Sequence, residues 1–254
     1  METSITPQNE TGLYVSHLMV SLPSNADERK NCLSEIENIK TDAELKGIQF
    51  FIAQTFGHES DAIAMALAQN SDELLGIETK IKASGAIVVD SFLSICETSE
   101  YATTKEQEQA RIDTLDETQE AKDKMMSDWS DRMEIYKKHK LFPNLPPTNM
   151  SYFCFYPMSK KREGENNWYM LSFEERAKYM QAHGALGRKY SGKVIQLITG
   201  ATGLSDFEWG VCLFAKNLND IKDIVYEMRF DKASALYGEF GHFTIGKITE
   251  PNNL

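Results

Sequence analysis

The sequence predicts an α+β protein built from two ferredoxin-like (βαββαβ) halves in a dimeric-α/β-barrel-like arrangement. Three observations carry this. Apolar, β-branched runs alternate with amphipathic helical stripes in the order β-α-β-β-α-β from Leu13 to Thr98. The same order returns from Met150 to Ile248. The segment between them, 102–149, is charged throughout and unlike either flank. Both helices of such a half cover one face of its sheet, so two bare faces remain to pack together or to open into a ligand cavity.

In the first half, LYVSHLMVS (13–21) has the composition of a strand. SNADERKNCLSEIENIKTDAEL (24–45) is helical, with Leu33, Ile36 and Ile39 on one stripe and Ser24 or Asn25 as a cap. IQFFIAQTF (48–56) is a strand. DAIAMALAQ (61–69) fits a helix or a strand, and its position favours a strand. SDELLGIETKIKAS (71–84) sets Leu74, Ile77 and Ile81 in helical register, and AIVVDSFLSICET (86–98) closes the half as a strand.

In the second half, MSYFCFY (150–156) is a strand. SFEERAKYMQAHGALG (172–187) opens with the capping box Ser172–Glu175 and runs out near Gly187. KVIQLIT (193–199) and FEWGVCLFA (207–215) are strands, separated by a turn punctuated by Gly200 and Gly203. DIKDIVYEMRF (220–230) turns Ile221, Ile224, Val225 and Met228 inward, and EFGHFTIGKI (239–248) is the last strand. The linker carries only sparse apolar positions (Ile112, Leu115, Met125, Met126, Trp129, Met133). It reads as a solvent-facing helix or partly mobile segment that ends in the proline-rich stop 143–147. The expected organisation is a polar N-terminal tail (1–12), a first half (13–101), the linker (102–149) and a second half (150–254).

At 254 residues, 41% hydrophobic and 26% charged, the chain can bury a substantial core. A net charge of −11 argues against nucleic acid or an anionic membrane as partner. Cys32, Cys96, Cys154 and Cys212 lack zinc or redox spacing, and free thiols suit a reducing compartment. No apolar run reaches membrane-spanning length and the first residues have no signal-peptide design, so the expectation is cytoplasmic.

A few positions have the chemistry of a site. His183 lies on the inner stripe of its helix with Phe173, Ala177, Met180 and Gly187. It reads as a satisfied core histidine or, since Ala182, Gly184 and Ala185 clear space beside it, as an axial ligand for haem iron. Gln196 interrupts an apolar strand; it either bonds backbone at an edge or faces a ligand. In CFYPMSKKR (154–162), Tyr156 ends the strand, Pro157 stops the ladder, and Lys160, Lys161 and Arg162 form a solvated turn or an anion-holding rim. Arg229 pairs with Asp231 or Glu227, or else faces a ligand with Ser234. Trp168 and Trp209 read as core. Physical reading alone ends at a double ferredoxin-like protein with one cavity, a histidine and a basic rim.

At these residues the chain resembles the coproheme decarboxylases (HemQ) of the chlorite-dismutase-like superfamily. The resemblance runs from about residue 140 to 248 and rests on CFYPMSKKR, NNWYMLSFEERAKYMQAHGALGRKYSGKVIQLITG, EWGVCLFA, VYEMRFDKASALYGEFG and FTIG. The first half matches through its element order and SFLSICETSEY. The resemblance implies two ferredoxin-like halves, a ring-shaped homopentamer, and a substrate that is also the cofactor: iron coproporphyrin III (coproheme). Hydrogen peroxide would drive oxidative decarboxylation of two propionates to vinyl groups, giving haem b in bacterial haem biosynthesis. It further implies a transient contact with the ferrochelatase that supplies coproheme. By the same resemblance His183 is the axial iron ligand, Tyr156 the radical tyrosine, and Lys160 the lysine at the second reactive propionate. Met158 lines the pocket, Gln196 faces the open iron position, and Arg229, Ser234, Tyr101 and Lys140 contact propionates. This chain departs from the family in having Lys140-Leu141-Phe142-Pro143 where an arginine usually precedes Leu-Tyr-Pro; lysine keeps the charge and loses the bidentate fork. The competing functions are a chlorite dismutase-type haem enzyme, which needs a distal arginine where this chain has Gln196, and a non-catalytic haem or porphyrin binder, for which Tyr156 and Lys160 have no use.

Overall fold

The computed structural model describes residues 9–254, so the tail expected over 1–12 lies outside the described residues from 1 to 8. The first half contains β1 (Thr11–Ser21), α1 (Ala26–Leu45), β2 (Gln49–Thr55), β3 (Ala62–Ala68), α2 (Ser71–Ala83) and β4 (Ile87–Glu97). The charged segment folds as two helices, α3 (Lys105–Asp113) and α4 (Gln119–Leu141). The second half contains β5 (Tyr152–Lys160), α5 (Phe173–Arg188), β6 (Val194–Gly200), β7 (Trp209–Ala215), α6 (Leu218–Met228), the short α7 (Lys232–Ala235), β8 (Gly238–Phe240) and β9 (Thr244–Thr249).

The strands form one antiparallel sheet in the order β7-β6-β4-β1-β3-β2-β9-β5-β8, and β5 also pairs with β7. That last pairing closes eight strands into a barrel, with β8 appended to the end of β5. Two seams join the halves: β4 meets β6 at Ile95↔Gly200 and Cys96↔Thr199, and β2 meets β9 from Ile52↔Thr249 to Thr55↔Gly246. Closure removes the exposed sheet edges that each half would present alone.

The two-residue strand period then sorts side chains to the inside or outside. Inward-facing Val15, Met65, Phe51, Phe92, Phe153, Phe155 and Phe214 fill the barrel as one buried cluster drawn from both halves. Each large side chain so buried contributes about 1.5–3 kcal/mol. The interior between the halves is therefore core, and the alternative of a ligand cavity there does not hold. Strand β3 is buried on both faces: Ile63, Met65 and Leu67 point in, and Ala62, Ala64, Ala66 and Ala68 receive α1 and α2. Continuous burial explains why its sequence fits a helix as well as a strand.

Helix starts follow local signals. Asn25 Oδ1 accepts from Asp27 N and Glu28 N to cap α1, Thr104 and Gln107 form a reciprocal capping box on α3, and Thr118 caps α4. Of the linker positions, Ile112 and Leu141 are buried, while Met125, Met126, Trp129 and Met133 are half-buried. No helix among the described residues is long and apolar enough to cross a membrane.

One polar group sits inside the barrel. His17 is fully buried against Phe155, ring centroids 4.0 Å apart, with Nε2 3.1 Å from Cys212 Sγ. Its Nδ1 has no hydrogen-bond partner among the described residues. Burial lowers its pKa to about 3. The folded-state value lies below the unfolded one, so the unfolded chain binds the extra proton as pH falls beneath about 6.5. Stability is then lost progressively between about pH 6.5 and 3, by on the order of 4–5 kcal/mol at the limit. Urea unfolding at pH 7, 6, 5 and 4 should give a shallower acid decline for His17→Leu than for the natural chain. Equal slopes would exclude His17 as the source.

Candidate functional site

The outer face of β5 and β6 carries Tyr156, Met158 and Gln196, and β7 continues that face. Helix α6 seats Ile221 and Ile224 directly on it beside Val211 and Leu213. Helix α5 behaves differently. Its start is fixed by a full capping box, with Glu175 N donating to Ser172 Oγ (3.3 Å) and Ser172 N donating to Glu175 Oε2 (2.9 Å). Yet it buries none of its side chains fully, and Phe173, Ala177, Met180, His183, Gly184 and Gly187 are only half-buried. The strand residues on the facing side, Tyr156, Met158, Gln196 and Ile198, are half-buried too. At Gly187 a Cβ would lie 3.3 Å from Gln196 Nε2 of the sheet and 3.3 Å from Met228 Cε of α6.

His183 has a defined orientation. Its Nδ1 donates to Asp231 Oδ2 at 2.8 Å. Asp231 is buried and caps α7, with the same oxygen accepting from Ser234 N (3.2 Å) and Ser234 Oγ (3.4 Å). A carboxylate accepts here, so the Nδ1 proton is held there, and in the neutral ring Nε2 carries the lone pair.

Lys160 corrects the expectation of a basic rim: it is only 6% exposed, whereas Arg162 is exposed. Its Nζ donates to the Ala233 carbonyl at 2.8 Å and lies 4.7 Å from the Trp168 ring centroid. Its backbone N donates to Glu208 Oε2 (2.8 Å), and the Tyr169 hydroxyl donates to Glu208 Oε1 (2.6 Å). Burial lowers the ammonium pKa to about 8, against the opposing pull of Asp231 and Glu208. Lys160 therefore stands at the short α7, near Asp231.

Tyr156 belongs to a second cluster. Its ring stacks on Phe243 and lies near Phe240, and burial pushes its phenol pKa above the ordinary value. Arg229 covers Phe240 and, among the described residues, makes no ion pair. The carboxylates expected to pair with it are engaged elsewhere: Asp231 with His183, and Glu227 with Lys189 and Tyr190. Met158 pairs with Trp209 of β7. Ser234 is turned to Asp231. Tyr101 stacks on Phe173, its hydroxyl accepting from Arg176 Nε at 3.3 Å, which ties it to the first turns of α5. Lys140 lies in the last turn of α4, where burial lowers its pKa against the opposing pull of Cys96. Among the described residues it shares no hydrogen bond, ion pair or ring contact with His183 or Tyr156.

Thus His183, Ser234 and Lys160 gather around Asp231, Tyr156 and Arg229 around Phe240 and Phe243, and Gln196 faces α5. Sequence reasoning named Asp231 only as a partner for Arg229 and missed Glu208, Phe240 and Phe243. The one local signal was Asp231 followed three residues on by Ser234, an N-cap pattern.

A model of the family described as chlorite dismutase matches residues 29–249. Among solved structures, a heme-binding protein from Thermus thermophilus is 35% identical, with a TM-score of 0.76 over 96% of this chain and 94% of that one. A putative chlorite dismutase at 20% identity has a TM-score of 0.71 over 96% and 97% of the two chains. A mutant chlorite dismutase from Candidatus Nitrospira defluvii, 16% identical, also reaches 0.71 over 96% and 94%. The family match covers most of the chain, and the Thermus protein is similar along nearly its whole length. This protein belongs to the chlorite dismutase family.

Proposed function

We propose that this protein is a peroxide-dependent coproheme decarboxylase that converts two propionates of iron coproporphyrin III to vinyl groups, giving haem b. The observation that carries the reading is a pair: a histidine oriented by a buried carboxylate, on a helix standing off a strand face that also bears a tyrosine packed among aromatic rings. The residues fit an iron porphyrin. His183 Nε2 is left free by the Asp231 bond, and Gly184 beside it has no side chain, so only the mobile end of Arg188 lies near, 3.4 Å from where a Cβ would stand. The heme-binding character of the Thermus relative supports the ligand class.

His183 would hold the iron through Nε2, and Asp231 would fix the orientation of the ring. Gln196 would face the opposite side. The bound iron porphyrin, with peroxide, supplies the oxidising equivalents. Tyr156 then acts on the propionate chain: its phenol gives up a hydrogen atom, and the tyrosyl oxygen takes one from the propionate. Loss of a further electron releases the carboxylate as carbon dioxide and leaves a vinyl group. For each propionate, one peroxide and one proton are consumed and two waters form. A phenol kept protonated by burial begins with the hydrogen it must lose. Arg229 would meet propionate charge, with Met158 lining the pocket. Tyr101, Lys140 and Ser234 remain assigned as propionate contacts by resemblance; for Ser234 this requires the hydroxyl to leave Asp231. Lys160 is assigned to proton movement at the second propionate, which requires its ammonium to exchange the Ala233 carbonyl for a substrate carboxylate. We further assign the protein to the cytoplasm, as a homopentamer receiving coproheme from ferrochelatase.

The test is to mix the protein with ferric coproheme, add peroxide in steps, and follow products by mass spectrometry. Two sequential carboxyl losses are expected. Binding without conversion would indicate a passive porphyrin binder, and oxygen release from chlorite would indicate a chlorite dismutase. Tyr156→Phe should bind coproheme and lose decarboxylation by at least about 100-fold; normal turnover would refute the radical assignment. His183→Ala should change the iron absorption spectrum, and an unaltered spectrum would refute axial ligation. Lys160→Met should lose turnover at the second propionate without losing stability at pH 7. The folded ammonium titrates near 8, below an unfolded value near 10.5, so its burial is unfavourable below pH 8 and relieved as pH rises from 8 to 10.5. Strong destabilisation at pH 7 would contradict this.

A further inference from the structure

Tyr156 stands between two phenylalanine rings to which no role has been given. Its ring lies on Phe243 with centroids 4.2 Å apart and planes at 20°. Phe240 bounds another side at 6.0 Å and 57°. Arg229 lies 4.6 Å from the Phe240 centroid and 5.9 Å from that of Phe243, backing the aromatic pair with a cation.

Backbone geometry fixes this frame. Strand β5 pairs with β8 at Met158↔Phe240 and with β9 at Phe155↔Thr244. The turn 241–243 must therefore pass beside Tyr156 and Pro157. Gly241 N donates to the Pro157 carbonyl at 2.8 Å. A Cβ on Gly241 would stand 2.7 Å from Pro157 Cγ and 2.9 Å from Phe207 Cζ, so the approach requires glycine. The next residue, His242, meets His58 of the β2–β3 hairpin with ring centroids 4.8 Å apart. His58 is itself held, its Nδ1 accepting from the N–H of buried Ser60 at 3.0 Å. The turn bearing Phe243 is thus anchored to β5 on one side and to the first half on the other.

We propose that Phe243 is a positioning residue for Tyr156. Its stacked ring fixes the plane of the phenol, and with it the direction from which the tyrosyl oxygen meets the substrate side chain. A radical step between two fixed groups depends steeply on that direction: a misplacement of about 1 Å can cost on the order of 100-fold in rate. The phenol oxygen sits at the far end of the ring, so a swing of the ring about its attachment displaces it most. The proposal rests on Tyr156 being the hydrogen-abstracting group.

The experiment compares the natural chain, Phe243→Leu and Phe243→Tyr, each labelled with 3-fluorotyrosine. The Tyr156 resonance is assigned by its loss in Tyr156→Phe. Without porphyrin, the natural chain should give two fluorine resonances for the two faces of a held ring. They should merge in Phe243→Leu and separate again in Phe243→Tyr. With ferric coproheme, Phe243→Leu should bind within about twofold of the natural chain but decarboxylate about tenfold more slowly, with the rate recovered in Phe243→Tyr. A natural-type fluorine spectrum and natural turnover in Phe243→Leu would overturn the proposal. If the natural chain itself removed no carboxyl group, the reading of Tyr156 would fall, and the fluorine spectra alone would decide whether Phe243 holds the ring.

Discussion

Strand β5 turns Phe153 and Phe155 into the barrel and Cys154, Tyr156 and Met158 toward the helices. It pairs with β9 on one side and with β7 on the other, so it is also the strand that closes the barrel. The two inward phenylalanines commit it to one register, because a slip of a single residue would exchange the faces and place a phenol in the sealed core. Tyr156 is therefore held on the outer face by the same packing that holds the two halves together. The candidate site lies on the back of the second half, away from the surface where the halves meet.

Around His183 the governing group is Asp231. Its Oδ2 receives His183 Nδ1, Ser234 N and Ser234 Oγ, while the buried ammonium of Lys160 stands near it on Ala233 O. A buried carboxylate with several donors orients what it touches. Helix α7 is only four residues long, and its cap is the residue that aligns the histidine. Local chain geometry and site chemistry are thus joined in one side chain. The contrast with Tyr156 is physical: the phenol is framed by apolar and cationic faces, while the imidazole is framed by a charge.

The segment between the halves illustrates how polar sequence still folds. Thr104 and Gln107 start α3, Thr118 starts α4, and burial of Ile112 and Leu141 at two points ties the pair down. Most of its surface is charged or half-exposed, which is why composition left open whether it was a helix or a mobile segment.

Periodicity by itself determined the cap at Ser172 and the main βαββαβ order of each half, because these depend on contacts within a few residues. It left the first cap open between Ser24 and Asn25, missed α7, and read 239–248 as one strand where the turn 241–243 separates β8 from β9. It also singled out His183, Tyr156 and Gln196 as chemically unusual positions. Which face of β5 looks inward was not legible, since YFCFYPM is apolar on both faces. Nor was the burial of Lys160, whose partner Ala233 is 73 residues away. The Asp231 bond to His183 spans 48 residues, and Phe243 reaches Tyr156 only because β8 and β9 both pair with β5. Sequence sets spacing along a chain, whereas these relations arise when a closed sheet and two helix ends bring distant segments to one place.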